Sequence, residues 1–138
     1  MTPIETGCLC GAVRIRIDGE PVVGFYCHCP DCRAAHGADY VGVALYPPAA
    51  VEVMAGEVAT FAIESLPRAF CARCGTRLFA RLPDADLTGV VATRLPEGAF
   101  RPAFHIHCSH ALAPVRDDLP HYRALPPAFG GDDERVDW

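Results

Sequence analysis

Cysteine placement sets the first limit on how this chain folds. Seven of its eight cysteines fall in three short clusters, Cys8-Leu-Cys10, Cys27-His-Cys29-Pro-Asp-Cys32 and Cys71-Ala-Arg-Cys74, and Cys108 stands alone. The start, Met-Thr-Pro-Ile-Glu-Thr, has neither the basic segment nor the apolar stretch of a secretory leader, which points to a cytoplasmic, reducing setting. There disulfides are rare, and close-set cysteines read as metal ligands or catalytic thiols. The alternative is a disulfide-stapled secreted domain. A chain of 138 residues with 51% apolar composition can form its core without such staples, so metal is the preferred reading.

Zinc takes a tetrahedron of sulfurs at about 2.3 Å, and two cysteines two or three positions apart on a tight turn can both reach one ion. Cys71-Ala-Arg-Cys74-Gly75 supplies half such a site, and Cys8-Leu-Cys10-Gly11 supplies a matching half. Together Cys8, Cys10, Cys71 and Cys74 make a closed four-thiolate site, which is the pattern of a structural zinc. The middle cluster offers three thiolates, Cys27, Cys29 and Cys32. Three protein ligands leave one coordination position, the pattern of a catalytic zinc. That position could take water or a substrate thiolate, or be closed by His28, His36, His105 or Cys108. A closed second site would make the chain a zinc-stapled binding module, and an iron–sulfur cluster on the same triplet is a further alternative.

Charge and composition remove other classes. All twelve cations are arginine, so neither a P-loop lysine nor a Schiff-base lysine exists. The two serines, Ser65 and Ser109, lie outside any nucleophile-elbow motif. A formal net charge of −5 disfavours nucleic-acid and anionic-membrane partners, and no apolar run reaches the ~18 residues of a membrane span.

The chain reads as one mostly β domain. Ala12–Ile17 alternates, with Val13, Ile15 and Ile17 on one face and Arg14 and Arg16 on the other. Further strands are expected at 22–26, 40–45, 51–54, 58–62, 68–70, 76–81, 89–94 and 103–108, divided by Pro and Gly breakers. The last of these would place His105 and His107 on one face and Ile106 with Cys108 on the other, making Cys108 a core thiol. One short helix is expected at Pro30–His36, with Gly37 just past its end. The tail beyond Leu125 should hug the surface or fray.

Gly7-Cys-Leu-Cys-Gly-Ala-Val13, Cys27-His-Cys-Pro-Asp-Cys-Arg33, Phe70-Cys-Ala-Arg-Cys-Gly75 with Leu78-Phe79, and Leu119-Pro120 together resemble the glutathione-dependent formaldehyde-activating enzyme family, which includes centromere protein V. The resemblance implies a Mss4-like fold of several small antiparallel sheets stapled by zinc. It also implies a single domain over 1–138, with its core at about 6–126 and a tail at 127–138. It places Cys8, Cys10, Cys71 and Cys74 on a structural zinc and Cys27, Cys29 and Cys32 on a catalytic one. The implied activity is that of a carbon–sulfur lyase joining a small thiol such as glutathione to an aldehyde such as formaldehyde. Three thiolates give such a zinc site a formal charge of −1, so a fourth calls for a nearby cation. Arg33 is the expected provider, Arg73 and Arg77 are candidates for substrate carboxylates, and His36 is a candidate base. Two features depart from the family pattern: the tryptophan usual before Leu-Pro is missing, the sole Trp being Trp138, and Cys108 is additional.

Overall fold

A computed structural model describes residues 2–138. In chain order the elements are β1 (Ile4–Gly7), β2 (Arg14–Ile17), β3 (Val23–Cys27), α1 (Pro30–His36), β4 (Val41–Tyr46), β5 (Val51–Ala55), β6 (Val58–Ile63), β7 (Leu66–Cys71), β8 (Arg77–Leu82), β9 (Leu87–Val91) and β10 (Pro102–Ile106). Mainly β structure is what the alternating runs and closely spaced breakers call for. The chain divides into two compact units. One holds the residues up to Val23 with Ala44–Phe100, the other Gly24–Val43 with Arg101–Trp138. Among the described residues no helix is long and apolar enough to cross a membrane.

The first unit is organised by the alternation in β2. Val13, Ile15 and Ile17 are buried while Arg14 and Arg16 are not, so one face of the strand enters the core. β1 and β5 flank β2 in an antiparallel sheet, pairing Thr6 and Val53 with Ile15. Strands β6 to β9 form an antiparallel meander. Leu78, Phe79 and Val90 from it join Ile15, Ile17 and Tyr46 in one core cluster. The β6–β7 hairpin closes Ile63 onto Leu66 through Glu64 and Ser65, whose φ values of 53° and 72° are those of the tight turns that match strand twist. Neither residue advertises such a turn. Pro67, expected to break the chain, lies inside β7, just before its pairing with β8 begins at Arg68 and Ala80. No ladder bond to β8 is lost by its missing N–H.

In the second unit β10 runs parallel to β3, pairing His105 with Tyr26 and Ile106 with Cys27. This pair makes the strand arrangement mixed: the two strands are far apart in sequence, and no hairpin dictates their direction. Helix α1 occupies the expected span. Cys29 is its N-cap, accepting the Cys32 N–H on Sγ, Pro30 opens the first turn, and Gly37 takes a left-handed φ of 58° while its N–H returns to Arg33 O. The strand expected at 103–108 stops at Ile106. His107 adopts φ 55° and Cys108–His110 forms a 3-10 turn, so the alternation proposed for His105 and His107 does not extend that far. The tail is tied down: Tyr122 bridges Arg135, and Val136 N–H donates to His121 O at 2.9 Å.

Candidate metal centres

Two turns of the first unit present four sulfurs. Cys8 follows β1 and Cys71 ends β7, and each opens a short loop whose second cysteine precedes a left-handed glycine, Gly11 at φ 80° and Gly75 at φ 78°. The Cys8 and Cys10 sulfurs lie 3.5 Å apart and those of Cys10 and Cys71 3.9 Å apart. All four fall within 4.8 Å of one another. A tetrahedron with 2.3 Å metal–sulfur bonds has edges of about 3.8 Å, so the set fits one zinc-sized ion with little rearrangement. Backbone donors are aimed at the sulfurs: Val13 N–H reaches Cys8 Sγ at 3.2 Å, and Arg73 and Cys74 N–H each reach Cys71 Sγ at 3.4 Å. Such bonds favour thiolate over thiol. Cys74 is held down at about 5, first by the Thr76 hydroxyl at 3.0 Å, and Cys8 is lowered by Val13 N–H. Cys10 is pushed up to about 11, a thiol shared among neighbours that cannot all ionise without a cation.

The triplet belongs to the second unit. Cys27 ends β3, Cys29 caps α1 and Cys32 lies in its first turn, so strand end and helix start gather three sulfurs within 4.8 Å. Cys27 and Cys32 are buried and Cys29 is partly exposed. Their ionisation is unequal. Hydrogen bonding with Cys27 and then Cys32 holds Cys29 far below the usual thiol value, while the same sharing pushes Cys27 up. His107 adds a smaller electrostatic contribution in the same direction at Cys29. Among the described residues no fourth His, Cys, Asp or Glu completes this set. The donor chemistry suits a soft or borderline ion such as zinc with a position left over. All eight cysteines are free of disulfides.

The other residues singled out from sequence are distributed as follows. Arg33 is half-buried on α1 and its Nε donates to His28 O at 3.2 Å. It lines a cleft of about 410 Å³ together with Pro30, Asp39 and Leu112, and no cysteine contributes to that wall. His36 closes α1 and does not join the sulfur cluster. Arg73 and Arg77 lie in the first unit. The Arg77 guanidinium covers the rings of Phe61 and Phe70 at 5.0 and 5.3 Å and bonds Gly75 O, so it braces the loop that carries Cys71 and Cys74. Cys108 is buried, and burial first, with Asp117 second, pushes it up to about 12. His105 stands at the base of a different cluster, within hydrogen-bond reach of Asp117, which also binds His121. Sequence spacing gives no sign of that grouping, because Asp117 and His121 come from an irregular segment with no metal motif.

A mainly β chain thus gathers one set of four thiols and another of three, each of which could hold a metal ion. The family model for glutathione-dependent formaldehyde-activating enzymes matches residues 3–110, and the chain belongs to that family. No curated protein matches it. Three solved chains do. One is the crystal structure of a Rhodobacter sphaeroides protein, with a TM-score of 0.57 and 22% identity over 69% of this chain and 89% of that one, a likeness of fold.

Proposed function

We propose that the chain is a cytoplasmic, zinc-dependent carbon–sulfur lyase that joins a small thiol to an aldehyde and cleaves the resulting hemithioacetal, in the manner of S-(hydroxymethyl)glutathione synthase. The observation that carries this reading is the incomplete triplet: Cys27, Cys29 and Cys32 converge with no fourth protein donor among the described residues. Zinc held there lowers the pKa of a thiol that reaches it, as it does for water. Membership of a family named for glutathione and formaldehyde supplies the substrate class.

The chain's own residues set the rest. Cys8, Cys10, Cys71 and Cys74 hold the structural ion and keep two distant loops together. Cys27, Cys29 and Cys32 hold the catalytic one. Arg33 follows the third of these and is anchored by Nε on the His28 carbonyl, which leaves the guanidinium end to meet a substrate carboxylate along the adjacent cleft. His36, at the end of the same helix, accepts the proton of the incoming thiol. The sulfur then forms a bond to the aldehyde carbon as the carbonyl π pair moves to oxygen, and that oxygen takes up the proton. Reversal breaks the same carbon–sulfur bond.

Cobalt(II) substitution with stepwise thiol addition tests this. The thiolate-to-metal absorption should change with glutathione in wild type, require more glutathione in Arg33→Ala, and fail to respond in Cys29→Ser. No change with any small thiol would overturn the enzyme reading in favour of a binding module.

A further inference from the structure

Asp117 gathers two imidazoles in the second unit. His105 Nε2 lies 2.8 Å from Asp117 Oδ2 and His121 Nε2 lies 2.8 Å from Oδ1. Both histidines are buried, and the aspartate side chain keeps 31% of its surface, so the cluster has one solvent-facing side. The ligand atoms of all three residues fall within 4.8 Å of one another.

Each member is held from behind. His105 N–H donates to Pro120 O at 2.9 Å and its carbonyl accepts Tyr122 N–H at 3.0 Å, a parallel bridge that sets His105 beside His121. Leu119 N–H fixes Asp117 Oδ1 at 3.0 Å. His28 Nε2 stands 2.9 Å from His105 Nδ1, the outer partner that orients a metal-binding imidazole. Tyr26 and Trp138 pack on His105 and His121 with ring centroids 4.9 and 4.8 Å away, which keeps the buried side dry. Burial also lowers His105, favouring the neutral imidazole that ligation requires.

We propose that His105, Asp117 and His121 form a third cation site, of nitrogen and oxygen rather than sulfur donors, for a divalent first-row transition ion. Two imidazoles and a carboxylate are a recognised donor set for such ions and leave further positions open. Ligands at right angles on an ion with bonds near 2.05 Å stand about 2.9 Å apart, so each imidazole nitrogen is already at ligand spacing from a carboxylate oxygen. Binding of the ion would shift the imidazole tautomers in a defined way. Without it, His105 Nε2–H donates to Asp117, and Nδ1 accepts His28 Nε2–H. With it, Nε2 of His105 and of His121 would give their lone pairs to the ion, with each ring proton on Nδ1. His28 would then carry its own proton on Nδ1, so that its Nε2 accepts from His105 Nδ1–H and that hydrogen bond reverses.

The test uses the full chain with its thiol sites already loaded with zinc. Equilibrium dialysis against further Zn²⁺ should show one additional equivalent in wild type. Asp117→Asn and His121→Gln should bind it at least about tenfold more weakly, the smallest loss expected even for an outer partner. Nitrogen-15 spectra of the wild-type imidazoles should show His105 passing from the Nε2–H to the Nδ1–H tautomer as that equivalent binds. Equal uptake by wild type and both variants, or an unchanged His105 tautomer at saturating zinc, would overturn the site and leave a purely hydrogen-bonded cluster. The tautomer measurement needs no variant, so it decides even where a substitution unfolds the chain.

Discussion

Stripping metal from the four-cysteine site should destabilise the fold by about 4 kcal/mol. Cys10 and Cys71 are 61 residues apart in sequence, yet their sulfurs lie 3.9 Å apart. Treated as a cross-link that persists on unfolding, an ion bound to both closes a loop of that length, a constraint worth about 4.3 kcal/mol at 25 °C by chain entropy. Against a usual domain stability of ~5–15 kcal/mol this is a large share. With a urea slope of ~2 kcal/mol/M it moves the midpoint by about 2 M. The measurement is urea unfolding by circular dichroism in reducing buffer, with zinc and with a zinc chelator. The triplet offers the contrast, since Cys27 and Cys32 are only five positions apart and the same relation gives about 2 kcal/mol. Cys74→Ser should therefore abolish most of the chelator effect, and Cys29→Ser should preserve the larger part. Coincident midpoints with and without metal would refute the reasoning. So would a chelator effect that vanishes in Cys29→Ser and persists in Cys74→Ser.

Other consequences follow from single residues. Leu78 is fully buried in the first unit's core, so Leu78→Ala should cost about 2–5 kcal/mol in chemical denaturation, and a loss under about 1 would show a core that collapses to refill the space. Gly75→Ala places a side chain at φ 78° beside Cys74 and should cost about 1–2 kcal/mol while weakening zinc retention, read by competition with a chromogenic chelator. Tyr46 is raised above its ordinary value of 10.0, by burial first and the Glu20 charge second. Its neutral form is favoured in the fold, so this contribution is intact below pH 10 and lost as pH rises beyond it. Tyr46→Phe should flatten that alkaline limb of the stability profile, and an unchanged limb would place its cause elsewhere.

Legibility in the sequence tracked how local each determinant is. Pro30–His36 could be read to its ends because the first-turn proline and the left-handed Gly37 act within a few residues. The buried face of Val13, Ile15 and Ile17 was equally plain. The proximity of the cysteines within each set also followed from short spacings and two matching turns. β1 was missed because Ile4-Glu5-Thr6-Gly7 carries too brief an alternation to stand out, and it becomes a strand through pairing with β2. The parallel pairing of β10 with β3 has no local signal at all. Loss of alternation at His107 depended on one positive φ at a residue that seldom adopts it, and the grouping of His105 with Asp117 and His121 depended on hydrogen bonds between segments.

Trp138 gives the second unit a built-in optical probe. It is the sole indole in the sequence, and its ring lies edge-on or tilted against His28, His105 and His121, with centroids 5.4, 6.1 and 4.8 Å away. Emission excited at the red edge, where tyrosine does not absorb, therefore arises from one place in the molecule. Its intensity and lifetime report the environment of those three imidazoles, undiluted by any other chromophore.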